Sequence, residues 1–545
     1  MSANAESSTL LDIRGLRVSY GSGNEIVNAT DGVDLSLAAG EIVALVGESG
    51  SGKSTLSKAI IGLLPQGAQT LAGTIEFTGE NLLDLGEREL EKIRGRRIGM
   101  VPQDPGASLD PVKTIGSQVS EVFRLHQQGT KRSKAELRTE VLRLLELVGI
   151  DRPEQRISQY PHELSGGLKQ RVLIAIAFAL EPELLIADEP TSALDVTVQQ
   201  TILEVFTSLA RKRGTSVIFV THDLAVATDI ADRIVVMQHG KIREDRAVRQ
   251  ILRTPEHPYT RMLLSEAAPV ANPGRNADLP QIAQTPAIEV QGLSKVYGKG
   301  KEAHQAVSEV SFAVRPGTTF SLVGESGSGK STTARMVMRL LEPSAGTIKI
   351  HGQDVTQLRG ASKRELWRSL QLVYQNPDSA LDPRYSVSKL ISEPLENYKV
   401  GSKTERKLRV AQLLDAVNLP SRTSDLSAKE LSGGQRQRVA IARALALGAK
   451  TLVLDEALSA LDVLTQAQIL ALLEDLQLTQ GLSYLFISHD LHVVERISHD
   501  VGVMRCGQLV EVGPAARVFN QPASEYTQLL LDSNPGRLLR ELAVN

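Results

Sequence analysis

Cysteine is almost absent from this chain: Cys506 is the only one in 545 residues. A single cysteine excludes an internal disulfide and any cysteine-built metal cluster. Long apolar runs are missing too. The longest candidate, Val172 to Leu180, covers nine residues between Arg171 and Glu181, well short of the roughly 18 a membrane span needs. It reads as a buried helix. Neither sign of charge is in excess: 61 Lys and Arg stand against 63 Asp and Glu, for a formal net charge of -2. That balance argues against nucleic-acid binding through bulk charge. Residues Met1 to Leu11 are polar and lack the charged-then-apolar pattern of a secretory leader. A cytosolic setting is expected, with any membrane reached through a partner.

What the chain does have is an internal duplication. Its length predicts two or more domains. The stretch Gly47-Glu-Ser-Gly-Ser-Gly-Lys-Ser-Thr55 returns letter for letter as Gly324 to Thr332, with its lysines 277 positions apart (330 − 53). Leu164-Ser-Gly-Gly167 returns as Leu431 to Gly434, Asp188-Glu189 as Asp455-Glu456, and His222-Asp223 as His489-Asp490. A period this long means domain duplication rather than a solenoid. The stretch 267–287, rich in Pro, Ala, Asn and Gly, reads as the linker, giving domains 8–266 and 288–545. In each half compact apolar strands (Ile42 to Val46, Leu184 to Ala187, Ser216 to Val220) alternate with helical patterns, which predicts an α/β fold with a mainly parallel sheet.

The repeated glycine-rich stretch follows an apolar strand and precedes a helical pattern, the setting that gives it meaning. Gly47, Gly50 and Gly52, with Gly324, Gly327 and Gly329, let successive backbone N–H groups turn inward onto phosphate oxygens, and Ser49 and Ser326 lie in the same loops. The helix N-terminus that follows adds its positive end. Lys53 and Lys330 are expected to reach β- and γ-phosphates, Ser54 and Ser331 to ligand Mg²⁺, and Thr55 and Thr332 to complete the loop. One such match could be a Gly/Ser-rich turn with a chance lysine. Two in the same context are not.

Adjacent carboxylates are usually solvated surface. Here Asp188-Glu189 closes four apolar residues and Asp455-Glu456 closes three after Thr451, so both are expected to end a buried strand at a ligand crevice. Asp188 and Asp455 would hold Mg²⁺ through water, and Glu189 and Glu456 would orient and polarise an attacking water. His222 and His489 each lie 33 positions beyond the glutamate (222 − 189; 489 − 456). Identical placement after an apolar strand, twice, favours a γ-phosphate contact over a structural role.

Leu164-Ser-Gly-Gly-Leu-Lys-Gln-Arg171 and Leu431-Ser-Gly-Gly-Gln-Arg-Gln-Arg438 complete a set that resembles the ATP-binding-cassette (ABC) ATPases over nearly the whole chain. The resemblance implies two tandem P-loop NTPase domains, each a parallel-sheet core with an antiparallel β subdomain and a helical subdomain. It implies that Tyr20 and Tyr297 stack on adenine. Gln103 and Gln375 would join the core to the helical subdomain and contact Mg²⁺ and nucleotide. In such proteins two cassettes close head to tail on two ATP. Ser432, Gly433 and Gly434 would then face the nucleotide at Lys53, and Ser165, Gly166 and Gly167 the one at Lys330.

Gln103-Asp-Pro-Gly-Ala-Ser-Leu-Asp-Pro111, its counterpart Gln375 to Pro383 and His257-Pro-Tyr-Thr-Arg-Met-Leu-Leu264 resemble the ATPase subunits of dipeptide, oligopeptide and nickel importers. Glu525-Tyr-Thr-Gln-Leu-Leu530 is a weakened second copy of the last. The implied partners are two integral-membrane permease subunits at the cytoplasmic face of a bacterial-type membrane, with an extracytoplasmic solute-binding protein. Many relatives carry an iron–sulfur cysteine cluster after His-Pro-Tyr; none is expected here. Leu168 stands where the signature has glutamine. Ala457-Leu458 replaces the Pro190-Thr191 pair, which predicts a looser turn after Glu456 and two active sites of unequal rate. The competing readings are a soluble twin-cassette translation factor, which would carry a long charged linker and a basic surface, and an exporter ATPase, against which only the importer motifs speak.

Overall fold

In the computed structural model, residues 9–21, 26–126, 132–191, 194–267, 285–298, 303–459 and 461–543 are described. The chain divides into two compact units, Met1–Ala268 with Pro535–Asn545, and Pro269–Asn534. The stretch 267–287 read as the linker lies mostly outside the described residues. The closing segment, expected within the second domain, groups instead with the first unit. There the Gly536 N–H donates to Asp229 Oδ2 at 2.7 Å, and the helix Arg537–Ala543 packs on the helix Leu224–Ile230.

Each unit is built from two sheets. In the first, the six-stranded sheet runs Lys241–Ala247, Arg233–Gln238, Ile42–Val46, Ser216–Thr221, Leu184–Asp188, Ile98–Val101. All neighbours pair in parallel except the first two, which are antiparallel. The second unit repeats this with Gln508–Pro514, Asp500–Arg505, Thr319–Val323, Ser483–Ile487, Thr451–Asp455 and Leu370–Val373. A four-stranded antiparallel sheet lies beside each core: Val27–Ala38, Thr9–Tyr20, Ala68–Phe77 and Glu80–Asn81 in one, His304–Val314, Ile288–Tyr297, Ala345–Ile350 and Gln353–Asp354 in the other.

The apolar strands are continuous because the parallel sheet is covered on both faces. Alternate residues divide between the two sides. Val43, Leu45, Leu184, Ile186, Ile218 and Val220 join Leu11, Ile13, Ile75 and Phe77 under the antiparallel sheet. Ile42, Leu185, Ala187, Val217 and Phe219 face the other way, onto helices that include Val172, Ile174 and Phe178. All but the last two residues of the nine-residue apolar run, Ala179 and Leu180, thus lie in the buried helix Gly166–Phe178. With both faces packed, only the strand ends are open to a ligand, and the carboxyl ends of Ile42–Val46, Leu184–Asp188 and Ser216–Thr221 carry the phosphate loop, the carboxylate pair and the histidine.

Candidate functional site

The phosphate loop turns sharply at the end of the strand Ile42–Val46. Gly47 has φ +151°, and a Cβ there would stand 2.1 Å from the Met237 carbonyl oxygen. Gly324 repeats this with φ +145° and Met504, so only glycine fits either position. Gly52 and Gly329, at φ +104° and +105°, lead into the helices Lys53–Ile60 and Lys330–Val337. The loop tips Ser49, Gly50, Ser326 and Gly327 are exposed. Lys53 is buried and folded back on its own loop, donating to Gly47 O at 2.6 Å and Glu48 O at 2.8 Å. Lys330 does the same to Gly324 O and Glu325 O, both at 2.7 Å.

The other polar groups converge beside this loop in each unit. Ser54 Oγ donates to Asp188 Oδ1 at 3.2 Å, and Ser331 Oγ to Asp455 Oδ1 at 3.0 Å. Gln103 Nε2 donates to Glu189 Oε2 at 3.0 Å, and Gln375 Nε2 to Glu456 Oε2 at 2.7 Å. His222 Nδ1 stands 3.2 Å from Glu189 Oε2, and His489 Nδ1 stands 3.6 Å from Glu456 Oε1. Both glutamates sit in the left-handed region, at φ +46° and +49°. A non-glycine residue held there carries strain, which the surrounding contacts must offset. Glu189 N donates to Val220 O and Glu456 N to Ile487 O, both at 2.9 Å. After Glu456, Ser459 N and Oγ both donate to Glu456 O, at 3.2 and 3.0 Å.

Electrostatics separates the adjacent carboxylates. Burial, together with the neighbouring Glu189 charge, raises Asp188 above its ordinary value against the opposing hydrogen bond from Ser54. Burial likewise raises Asp455, with Ser331 opposing and Glu456 adding to the rise. Glu189 moves the other way. Burial pushes it up, but the hydrogen bond and charge of His222, with Lys53 and the Gln103 amide, bring it below its ordinary value. The hydrogen bond from His489 leads the lowering at Glu456. Burial alone would lower both histidines, and the facing glutamate instead holds each above its ordinary value. Each adjacent pair thus holds one carboxylate below its ordinary value, facing an imidazole held above its own, and the other carboxylate above it.

Ser165 and Ser432 are exposed and cap the helices Gly166–Phe178 and Gly433–Leu445, accepting from Leu168 N at 3.4 Å and Gln435 N at 3.3 Å. The Gly167 and Gly434 positions admit no side chain, since a Cβ would meet Val198 Cγ1 at 2.6 Å or Thr465 Cγ2 at 2.5 Å. Tyr20 Oη lies 3.1 Å from Thr55 Oγ1, against the phosphate-loop helix. Tyr297 is 43 % exposed, with Lys295 Nζ 5.3 Å from its ring centre. A contact absent from sequence reasoning joins the His-Pro-Tyr segment to the phosphate loop: Tyr259 Oη accepts from Glu48 N at 3.0 Å, and Tyr526 Oη from Glu325 N at 3.3 Å.

Two such sites, each at the carboxyl edge of a parallel sheet, define a tandem P-loop ATPase. Residues 30–192 and 307–459 match the ABC transporter family, and 244–299 with 510–537 match the oligopeptide/dipeptide transporter C-terminal region. The chain belongs to the ABC transporter ATPases, on their oligopeptide/dipeptide branch, with two cassettes in one polypeptide. It is 42% identical over 565 residues to a glutathione import ATP-binding protein of Salmonella choleraesuis, covering 97% of this chain and 90% of the relative. It is 45% identical over 529 residues to a peptidoglycan transport ATP-binding protein of Agrobacterium fabrum, covering 96% of each. An oligopeptide transport ATP-binding protein of Mycobacterium tuberculosis is 40% identical over 607 residues, with 97% of this chain and 98% of the relative covered.

Proposed function

We propose that this chain is the energy-coupling subunit of an importer for small peptides or peptide-like solutes. It would act at the cytoplasmic face of the membrane on two integral-membrane permease subunits, with an extracytoplasmic solute-binding protein completing the complex. The observation that carries this reading is the pairing, twice, of a full set of catalytic groups with a copy of the oligopeptide-transporter C-terminal region. Relatives covering nearly the whole chain are named for glutathione import and oligopeptide transport, which supports peptide-like cargo.

In the proposed cycle each phosphate loop takes one ATP, and Lys53 and Lys330 exchange their loop carbonyls for β- and γ-phosphate oxygens. The oxygen donors Ser54 with Asp188, and Ser331 with Asp455, suit a hard cation that keeps several waters. Those residues, with the Gln103 and Gln375 carbonyls, would hold Mg²⁺, which neutralises charge building on the β- and γ-phosphates. The ionised Glu189 and Glu456 accept a hydrogen bond from the attacking water and orient it in line. His222 and His489 donate to the γ-phosphate. Tyr20 and Tyr297 stack on adenine. Head-to-tail closure would bring Ser432, Gly433 and Gly434 onto the nucleotide at Lys53, and Ser165, Gly166 and Gly167 onto the one at Lys330. Loss of the γ-phosphate then releases the closure.

A groove of about 270 Å³ in the second cassette supports permease docking. Leu372, Tyr374, Leu381, Pro394 and Arg443 line it, and Tyr374 directly precedes Gln375, whose amide holds the catalytic glutamate. A permease segment lodged there would feel any movement of the glutamine loop. Affinity purification of the chain from native membranes tests the reading. Recovery of two multi-span permeases supports it; recovery of ribosomes without permeases overturns it in favour of a translation factor.

A further inference from the structure

The first peptide of each phosphate loop is held from both sides. On the carbonyl side Lys53 Nζ donates to Gly47 O at 2.6 Å. On the amide side of the same peptide, Glu48 N–H donates to Tyr259 Oη at 3.0 Å. Gly47 is torsionally soft, and its φ of +151° is one only glycine tolerates. A peptide next to such a residue needs an outside restraint to keep its orientation. When the lysine leaves the carbonyl for a phosphate oxygen, the tyrosine hydroxyl is the restraint that stays.

The rest of the segment presents that hydroxyl. Tyr259 is 4 % exposed and lies in the first turn of the helix Pro258–Ala267. The carboxylate of Glu244, buried in the strand Lys241–Ala247, accepts from Glu256 N at 3.0 Å and His257 N at 3.1 Å. His257 Nδ1 in turn accepts from Tyr259 N at 3.1 Å. The backbone N–H groups and the facing Thr260 hold Glu244 below its ordinary value against the upward push of burial. The second cassette rebuilds the arrangement with less. Ser524-Glu525 stands where the first copy has His257-Pro258. Glu511 still accepts from Ala523 N at 2.9 Å and Ser524 N at 3.1 Å. Tyr526, with the Arg505 guanidinium 4.7 Å from its ring centre, still accepts from Glu325 N, at 3.3 Å. What survives the divergence of the two copies is the acidic anchor and the tyrosine.

We propose that Tyr259 and Tyr526 are positioning residues for ATP binding, each fixing the first peptide of its phosphate loop through the glutamate N–H so that the following N–H groups face the phosphates. Neither touches the nucleotide. The oligopeptide-transporter C-terminal region is then a brace on the active site, beyond being a mark of the subfamily.

The test uses the full chain with Tyr259→Phe, Tyr526→Phe and both together, since phenylalanine keeps the ring and removes the hydroxyl. Binding of a fluorescent ATP analogue at 20 °C is compared with steady-state kcat and KM. Loss of one hydrogen bond per site predicts a rise of about 2- to 10-fold in Kd and KM for the double variant, with kcat held within about 2-fold of the parent. The Tyr259 change is expected to have the larger effect, its contact being shorter. An unchanged Kd in the double variant overturns the proposal, as does a fall in kcat with Kd and KM unchanged, the pattern that lost folded protein alone would give. The proposal rests on the ATPase assignment, and binding by the unaltered chain in the same titration checks that separately.

Discussion

In the first cassette Glu189 is 3.2 Å from His222 and 3.0 Å from Gln103; in the second Glu456 is 3.6 Å from His489 and 2.7 Å from Gln375. Glu189 and Glu456 share a backbone conformation and neighbours of the same type, yet each divides its hydrogen bonding differently between the two. The signatures differ as well. Gln435 returns the cap of Ser432, its Oε1 accepting from Ser432 N at 3.0 Å, whereas Leu168 has no amide with which to do so for Ser165. Tyr20 is hydrogen-bonded to Thr55 in the first cassette, whereas Tyr297 is exposed in the second. The two copies share the same residue types at the site and differ in how those residues are held, so any difference in rate is expected to arise from positioning rather than chemistry.

The comparison can be broken most forcefully at the lysines. Lys53→Ala or Lys330→Ala removes a charge-assisted grip on phosphate and is expected to weaken ATP binding at its own cassette by about 100-fold. Equilibrium dialysis at micromolar ATP should then count one nucleotide per chain in place of two. The histidines come next. His222→Ala and His489→Ala are each expected to slow hydrolysis by about 100-fold, with the His222 change costing more, because its contact with the glutamate is the closer. Equal losses in steady-state assays would remove the link between these distances and rate. The smallest effect is at the signature. Leu168→Gln supplies the missing half of a capping box and should raise Tm by about 1–3 °C, while Gln435→Leu should lower it by a similar amount in the same thermal scan.

Much of this site could be read from the sequence because its parts lie at strand ends. Ile42–Val46 and Thr319–Val323 have the bounds their apolar runs suggested, and a motif that follows such a run can only project from the open edge of the sheet. Contacts between distant segments leave no such local sign. Tyr259 meets Glu48 across 211 positions, and Gly536 meets Asp229 across 307. The His-Pro-Tyr letters mark a subfamily in the sequence, but only the packing of the helix Pro258–Ala267 shows where the hydroxyl points. Continuity alone puts the closing segment in the second half, whereas the packing of the helix Arg537–Ala543 on Leu224–Ile230 and the bond from Gly536 N to Asp229 group it with the first. The left-handed backbone of Glu189 and Glu456 was also illegible, since glutamate carries no preference for it.

The central claim, two cassettes with one chemistry, is tested most directly by Glu189→Gln combined with Glu456→Gln in the full chain, measuring bound ATP and steady-state hydrolysis on the same sample. The account predicts two ATP retained per chain, with hydrolysis below about a tenth of the parent rate. Hydrolysis above that level, or a single bound ATP, would contradict it.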